Sequence, residues 1–300
     1  ECYKGGIAVQ LHLMQYMEGG NLYNAFNFAA GRFRVPPSGP PNCPQNLTVI
    51  QIKNSTYMCP SDPDPNQTVS NSLGTAAVSI CSYRYNVGAT ICESTKWTDG
   101  GDTQDPWTSN CLADVNGPRG GLFFEEGVRS IGAVSDGTSN TAAFAERPIG
   151  SLQSAGTPGR YDVLKAASGS PADRAPTITT DILYSACRAN NNIGGVFDRF
   201  DGFYGIDTGA ILYSSWQVTM YNHLFPPNGG GTLRDCNTGQ SYIDSPNESS
   251  TVSAGSRHPG GANILLTDGS ARFIKSTVAQ NVWQGLGTIR GGEVLSADAY

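Results

Sequence analysis

Two residues near the C-terminal end have the side chains needed for shared chemistry. His258 and Asp268 are separated by nine residues, and Gly269 follows the aspartate. An imidazole and a carboxylate can form a metal site or an acid–base pair. Apolar runs flank Asp268-Gly269, however, which is the pattern of a β-hairpin with a type I′ turn. A fully extended strand would hold the two side chains roughly 25–30 Å apart. We therefore favour a structural role, with Asp268 shaping the turn and His258 bonding neighbouring backbone.

Ser139 is a second candidate, within the stretch Asp136-Gly-Thr-Ser-Asn-Thr. A nucleophilic serine of the Gly-x-Ser-x-Gly type would need glycine where Thr141 stands. The chain has 3 histidines, which leaves few bases for a Ser-His pair. Asp136, Gly137 and Asn140 are typical of a tight turn, because their side chains or torsions satisfy local backbone groups. We favour the turn and keep a hydrolase as an alternative hypothesis.

Acidic residues beside glycines make Ca²⁺ the most credible metal ligand, since calcium prefers oxygen donors on flexible loops. Asp99, Asp102 and Asp105 lie three residues apart in a Gly-containing stretch. A second acidic cluster consists of Asp198, Asp201 and Asp207. Neither cluster matches the EF-hand pattern, and solvated acidic loops are the alternative. The sequence predicts no cofactor, with Ca²⁺ at the first cluster as the exception to test.

The eight cysteines predict disulfides. They are Cys2, Cys43, Cys59, Cys81, Cys92, Cys111, Cys187 and Cys236. None forms a Cys-x-x-Cys pair, so the spacing of zinc ribbons and redox motifs is absent. An even number of widely spaced cysteines in a loop-rich chain favours disulfides and an oxidising compartment, with buried free thiols as the alternative. Six of the eight precede residue 112, which predicts heavier cross-linking in the first half.

Composition limits the class of protein. Glycine and proline fill 37 and 18 of 300 positions, and 15% of residues are charged, which suits a turn-rich protein. The net charge is −6 with no basic run, so we expect no nucleic-acid partner. No apolar run approaches the roughly 20 residues that span a bilayer. No signal peptide is visible, so in an exported protein the targeting segment would have been removed or lie outside this chain.

The patterns of apolar residues predict an α+β fold. Helical spacing is found from Gly6 to Phe28, interrupted at Gly19-Gly20, and a short helix is expected around Val278 to Leu286. Predicted strands are Leu47 to Ile52, Ala76 to Tyr85, Leu122 to Phe124, Thr141 to Ala145 and the two strands of the Asp268-Gly269 hairpin. We expect one domain over 1–300, with a soft boundary between lobes near 147–181.

Several of these stretches, taken in order, resemble one family. His258, nine residues and Asp268-Gly269 form its naming motif. Further matching segments are Tyr16-Met-Glu with Leu22-Tyr-Asn-Ala-Phe-Asn-Phe, Cys59-Pro-Ser-Asp-Pro, Ile131 to Glu146 with Arg147, and Gly291-Gly-Glu-Val. The chain thus resembles the bacterial prepilin-like proteins of unknown function that carry a prepilin-type processing-associated domain. The resemblance implies a pilin-like or pseudopilin-like fold, with an N-terminal helix on an antiparallel β-sheet and long inserted loops.

The resemblance also implies a function and a location, but no established activity. We expect a non-enzymatic structural subunit of an extracellular pilus-like filament or cell-surface assembly, associating with itself or with other pilin-like subunits. We expect membrane attachment only through the apolar N-terminal helix of such proteins, which is not visible in this sequence. The alternatives are a surface glycan- or solute-binding module and a hydrolase using Ser139 or His258. The aromatics expected to form a sticky surface or a stacking platform are Trp97, Trp107, Tyr204 and Trp216.

Overall fold

A computed structural model of the chain provides the bounds of its elements. It describes residues 7–30, 46, 48–49, 52, 54–62, 69–71, 74–76, 81–91, 114–124, 129–149, 161, 164–165, 179–190, 219–231, 235–237, 251–293, 295–296, 298 and 300. The strands are β1 Val69–Asn71, β2 Gly74–Ala76, β3 Tyr83–Asn86, β4 Ala142–Glu146, β5 Leu164–Lys165, β6 Met220–Tyr221, β7 Cys236–Asn237, β8 Gly261–Leu266 and β9 Ala271–Lys275. The α-helices are α1 Val9–Leu13, α2 Gly20–Ala25, α3 Thr180–Asn190 and α4 Gln280–Gly287.

The main sheet has five strands in the order β6-β3-β4-β8-β9. Three of its neighbouring pairs are antiparallel, whereas β3 and β6 run parallel. Two-stranded sheets are formed by β1 with β2 and by β5 with β7. The predicted α+β class is confirmed, but the prediction of an antiparallel sheet is wrong for β6. A parallel pair needs a long connection, and 133 residues separate the last residue of β3 from the first residue of β6 (219 − 86).

The hairpin between β8 and β9 is confirmed, with Leu265 opposite Ala271 next to the turn. Its predicted type I′ geometry is wrong. Gly269 has φ 86°, whereas Asp268 is not among the residues with positive φ. The N–H of Gly269 donates to the carbonyl of Leu266, and the N–H of Leu266 donates to the carbonyl of Ser270. This is the three-residue connection in which a left-handed glycine follows the turn, so one positive φ suffices.

One face of the sheet, which we name the inner face, packs against α4. Ile264 and Ile274 point to it and are 1% and 0% exposed. They share one buried cluster with Trp283 and Leu286 of α4. The helix predicted at Val278 to Leu286 is therefore confirmed and begins two residues later. It packs on the sheet because its apolar side chains recur at helical spacing.

The N-terminal helix is also observed, but it is short and broken. After α1, Met14–Tyr16 forms a 3₁₀ turn, and α2 begins at Gly20. Gln10 on α1 donates to the carbonyls of Tyr83 and Thr219, which attaches the helix to β3 and to the start of β6. The predicted Gly19-Gly20 interruption is confirmed. No helix within the described residues is long and apolar enough to cross a membrane.

Two predicted strands are wrong. Thr48 and Val49, inside the predicted strand from Leu47 to Ile52, are helical. This segment is held by Asn46, whose amide exchanges two hydrogen bonds with the backbone of Asn27. The stretch Leu122 to Phe124 has no strand assignment, although the N–H of Phe123 donates to the carbonyl of Asn86. Both cases show tertiary contacts overriding a short local pattern.

Arg147, which directly follows β4, is fully buried and joins several segments. Its guanidinium lies 2.6 Å from the carboxylate of Asp235 and donates to the carbonyls of Ser253 and Tyr161. Burial raises the pKa of Asp235, and the charge of Arg147 and hydrogen bonds from Ser253 oppose that shift. Breaking such a pair from one side leaves a buried charge without compensation.

A second buried cluster surrounds α3, a helix that the sequence patterns above did not predict. It contains Leu183, Leu224 and Phe225, together with the disulfide-bonded Cys187 and Cys236. Most of the proposed boundary at 147–181 lies outside the described residues, so the single-domain prediction stays a prediction.

His223 and Gly287 are in close contact at the end of α4. The imidazole stacks on Trp283 with ring centroids 3.9 Å apart, donates from Nδ1 to the carbonyl of Trp283 and accepts at Nε2 from the hydroxyl of Tyr221. A methyl group built on Gly287 would lie 2.4 Å from Cβ of His223. This contact requires glycine at the last residue of the helix.

We predict that Gly287→Ala destabilises the fold by about 1–3 kcal/mol, because the added methyl group overpacks the core. The measurement is urea unfolding followed by circular dichroism. The matched control is Gly20→Ala, at a helical glycine with nothing within 4 Å of the added carbon. The control should change stability by less than about 1 kcal/mol. Equal effects at the two sites would contradict the close contact.

We predict that acid destabilises the fold through His223. Burial lowers its pKa to about 3, against the partly opposing hydrogen bond to Trp283. Since the unfolded chain takes up this proton near pH 6.5, stability should fall from there towards pH 3, by at most about 1.4 kcal/mol per pH unit. Urea midpoints between pH 7 and pH 4 should show a shallower slope for His223→Gln. Parallel slopes for the two proteins would be the contrary result.

Candidate functional site

Three segments that are far apart in sequence meet at one end of β4. They contribute Cys59 from the Cys-Pro-Ser-Asp stretch, Glu146 from the end of β4 and His258 from the loop before β8. One potential ligand atom from each side chain lies within 4.8 Å of those of the other two. We name this group the Cys-Glu-His cluster. It brings together three of the segments on which the family resemblance rests.

Glu146 is the buried member of the cluster, with an exposed fraction of 6%. Its side chain points to the face of the sheet opposite Ile264 and Ile274, which we name the outer face. There its carboxylate accepts hydrogen bonds from the backbone N–H of Asn263 at 2.8 Å and from the Asn263 amide at 3.1 Å. The pairing of Ala145 with Ile264 places Glu146 beside Asn263 and so determines this contact.

Cys59 is positioned by the turn that follows it. The N–H of Asp62 donates to the carbonyl of Cys59, and the Asp62 carboxylate is 2% exposed. That carboxylate accepts from Ser82 and from the N–H of Ile149, and it forms an ion pair with Arg257 at 3.2 Å. Asp62 therefore ties the Cys59 turn to the residue before β3, to the segment after β4 and to the loop that carries the histidine.

His258 is the exposed member, with a side chain that is 45% exposed. Its backbone N–H donates to the hydroxyl of Ser256, and its Nε2 lies 3.8 Å from the Glu146 carboxylate. We predicted that His258 would bond neighbouring backbone; instead, its ring faces Glu146. Asp268 lies at the other end of the six-residue strand β8, roughly 20 Å away. The structure therefore does not bring His258 and Asp268 together.

Tyr83 borders the cluster and is affected by it. Burial raises the pKa of its phenol to about 12, and the nearby Cys59 and Glu146 add to the shift. The opposing pair of Tyr83 with Glu146 in β3 and β4 explains this proximity. The cluster thus offers a thiol, a carboxylate and an imidazole beside a neutral phenol, a set of donors suited to binding a cation.

The predicted turn at Asp136 also bonds a segment that is distant in sequence. The Asp136 carboxylate accepts from the N–H groups of Gly291 and Gly292 and from the hydroxyl of Thr288. It thereby holds the segment that follows α4. Gly137 has φ 96°, and Asn140 accepts a hydrogen bond from the hydroxyl of Tyr300. Two segments on which the family resemblance rests, the one that contains Asp136 and the one that begins at Gly291, are therefore in contact here as well.

Ser139 and Asp268 lie in turns at the surface. Ser139 is exposed, and its carbonyl accepts from Tyr300. Two histidines that could have served as a base for Ser139 make other contacts. Both ring nitrogens of His223 are hydrogen-bonded, to Trp283 and Tyr221, and His12 stacks on Phe28. The Asp268 carboxylate accepts from the hydroxyl and N–H of Ser270, and these hydrogen bonds lower its pKa. The Asp268 side chain therefore bonds within its own turn.

The cysteines depart from the prediction that all of them pair. Cys187 and Cys236 form a disulfide that links α3 to β7. Cys59 and Cys81 are free thiols. Cys81 is buried, its pKa is raised to about 11 by that burial, and its thiol donates to the carbonyl of Tyr83. Cys2, Cys43, Cys92 and Cys111 lie outside the described residues, so their pairing stays a prediction.

Other predicted site residues also lie outside the described part of the chain. They are Asp99, Asp102, Asp105, Asp198, Asp201, Asp207, Trp97, Trp107, Tyr204 and Trp216. The calcium and glycan predictions therefore stay predictions.

A cavity of about 280 Å³ adjoins the Cys-Glu-His cluster on the outer face. Glu146, Tyr83 and Asn263 belong both to its wall and to the surroundings of the cluster. The rest of the lining is mainly apolar and comes from Leu13, Met17, Thr56, Tyr57, Phe144, Ala145, Ile264, Leu265 and Ala271.

The fold and this site define an α+β protein in which widely spaced sequence segments converge at one end of a mixed sheet. A family model described as "Protein of unknown function (DUF1559)" matches residues 5–281. The chain belongs to this family. No curated protein and no solved structure matches the chain.

The sequence patterns do not predict the Cys-Glu-His cluster. They predict a disulfide for Cys59 and place Glu146 only within a segment that carries the resemblance. The available signal was that Cys59, Glu146 and His258 each belong to a segment carrying the resemblance. The separation of these segments along the chain concealed their contact.

We predict that Asp136→Ala destabilises the fold by about 1.5–3 kcal/mol, since hydrogen bonds to a charged acceptor are lost. Amide hydrogen exchange should quicken at Gly291 and Gly292, the donors that lose their partner. The control is Asp181→Ala, which removes a surface ion pair with Arg119 worth at most about 1 kcal/mol. Unchanged exchange at both glycines would contradict the role assigned to Asp136.

Proposed function

We propose that the chain is a non-enzymatic structural subunit of an extracellular, pilus-like filament or cell-surface assembly. The observation that supports this proposal is an apolar surface on the outer face of the sheet. Its described members are Phe144, Leu265, Ala271 and Phe273, with Glu146 and Asn263 at one end.

The strand register places these side chains side by side. Phe144 is opposite Leu265, and Leu265 is opposite Ala271. Leu265 and Phe273 are 39% and 44% exposed, whereas Ile264 and Ile274, their neighbours on the inner face, are almost fully buried. A polar outer face would be expected if water covered it, because antiparallel strands then alternate apolar and polar residues.

Met17 extends this surface. It lines the adjoining cavity and is 36% exposed. Contiguous exposed apolar surface of this kind marks interaction sites in soluble proteins. We assign it to contact with a second copy of the chain, as repeated assembly of one subunit would need.

The residues of the family resemblance support a scaffold role. Asp136 holds the segment after α4, Asp268 shapes the β8–β9 turn and Asp62 ties the Cys59 turn to Arg257. These side chains are used to hold loops in place relative to the sheet. A subunit exposed outside the cell benefits from such bracing and from the disulfide at Cys187.

The finer form of the proposal is that the protein is prepilin-like. In that form an apolar helix would precede the region that begins near Ile7 and attach the subunit to a membrane or filament core. The short α1, bonded to β3 and the start of β6 through Gln10, would then continue that helix into the globular part.

The test is assembly of the chain with its native N-terminus. We expect negative-stain images to show filaments or regular oligomers, and the double variant Leu265→Asp with Phe273→Asp to abolish them. The matched control is Ile131→Asp, at a residue that is 65% exposed in a 3₁₀ turn outside the sheet. Thermal unfolding of each purified variant checks that the fold is retained. Monomers alone for the unsubstituted chain, or unchanged assembly of the double variant, would contradict the proposal.

A further inference from the structure

We infer that Cys59, Glu146 and His258 form a binding site for a zinc-type divalent metal ion. The inference is independent of the assembly proposed above. The first observation is that the three ligand atoms, one from each side chain, lie within 4.8 Å of one another. The residues that carry them are more than 80 positions apart in sequence (146 − 59 = 87 and 258 − 146 = 112).

The set of donors indicates which ion fits. A thiolate, an imidazole nitrogen and a carboxylate oxygen are all ligands of Zn²⁺, whereas Ca²⁺ and Mg²⁺ take oxygen donors. Ligand atoms around tetrahedral zinc lie about 3.3–3.7 Å apart, given bond lengths of about 2.0–2.3 Å. The cluster therefore needs to contract by about 1 Å, and the half-exposed His258 side chain has the freedom to close that gap. Three protein ligands leave a fourth position for water.

Each ligand already has a partner that orients it. Asn263 holds both carboxylate oxygens of Glu146, and Asp62 fixes the turn that carries Cys59. Ser256 accepts from the backbone N–H of His258. Such surrounding hydrogen bonds are a regular part of metal sites, since they hold ligands in a productive orientation.

The distribution of charge also favours a cation. Glu146 is a buried carboxylate, and the arginines next to Glu146 and His258 in sequence are paired elsewhere: Arg147 with Asp235 and Arg257 with Asp62. Within the described residues, the ion-pair partner of Glu146 is His258, at 3.8 Å. A bound divalent ion would supply the positive charge that a buried carboxylate requires.

A catalytic relay of cysteine, histidine and glutamate fits the geometry less well. In a relay the thiol and the carboxylate bond opposite nitrogens of the imidazole, which separates sulfur from oxygen by roughly 7 Å. Here the sulfur and the oxygen lie within 4.8 Å of each other. Their convergence on one point is the arrangement of ligands around an ion.

The first test is metal binding by the purified chain with its disulfides intact and no added reductant. We expect one Zn²⁺ per chain at this site by isothermal titration calorimetry. Co²⁺ should give the near-ultraviolet thiolate charge-transfer band and the visible bands of tetrahedral cobalt. Zn²⁺ should also protect Cys59 from alkylation, as read by peptide mass spectrometry. Absence of binding below millimolar Zn²⁺, or Cys59 found in a disulfide in the native protein, would overturn the inference.

Variants locate the ion. Cys59→Ser should abolish the charge-transfer band, and His258→Gln should weaken Zn²⁺ binding at least 100-fold. Asn263→Ala keeps all three ligands and should weaken binding about 10–100-fold, as loss of an orienting partner does. The matched control His12→Gln, at an exposed histidine on α1, should leave the affinity unchanged. Metal-free unfolding curves show whether each variant folds. Unchanged affinity in folded His258→Gln would place the ion elsewhere and overturn the inference.

Discussion

The buried ion pair between Arg147 and Asp235 is the interaction on which the rest of the structure depends. Arg147 follows the central strand β4 directly, and its guanidinium reaches Asp235 and the carbonyls of Ser253 and Tyr161. Three separate loop segments are thereby fixed to one strand. Such a pair adds little net stability, yet loss of either partner alone would cost about 3–5 kcal/mol, because a charge would stay buried. Its contribution is specificity, because the arrangement of these loops that pairs both charges has a much lower free energy than arrangements that leave one charge buried alone.

The residue before Arg147 gives the same strand end a second role on the other side of the sheet. Glu146 points to the outer face, where it meets His258 and Asn263, while Asp62 links the Cys59 turn to Arg257. Bracing and potential metal binding therefore share one dipeptide. Distant loop segments meet at this strand end because Arg147 contacts some of them on one side of the sheet and Glu146 contacts others on the opposite side.

Local patterns predicted the elements that depend on local physics. The β8–β9 hairpin and α4 were predictable because a turn glycine and helical spacing act over a few residues. The parallel strand β6, the helical turn at Val49 and α3 were not predicted, since long-range contacts decide them. The same limit applies to the site. His258 was visible as a candidate, but its partners Cys59 and Glu146 are brought to it by the tertiary fold, and no spacing in the sequence encodes that.

The opposite directions of Glu146 and Arg147 have a consequence for folding. Neighbouring residues on a strand alternate between faces, so slippage of β4 by one position would turn Glu146 to the inner face and Arg147 to the outer face. A shift in one direction would bring the Glu146 carboxylate to the place of Arg147, against Asp235, and a shift in the other would bring the Arg147 guanidinium to the place of Glu146, beside His258. Either shift would break the ion pair of Arg147 with Asp235 and leave a buried charge without compensation. The dipeptide therefore opposes both one-residue misalignments of the sheet.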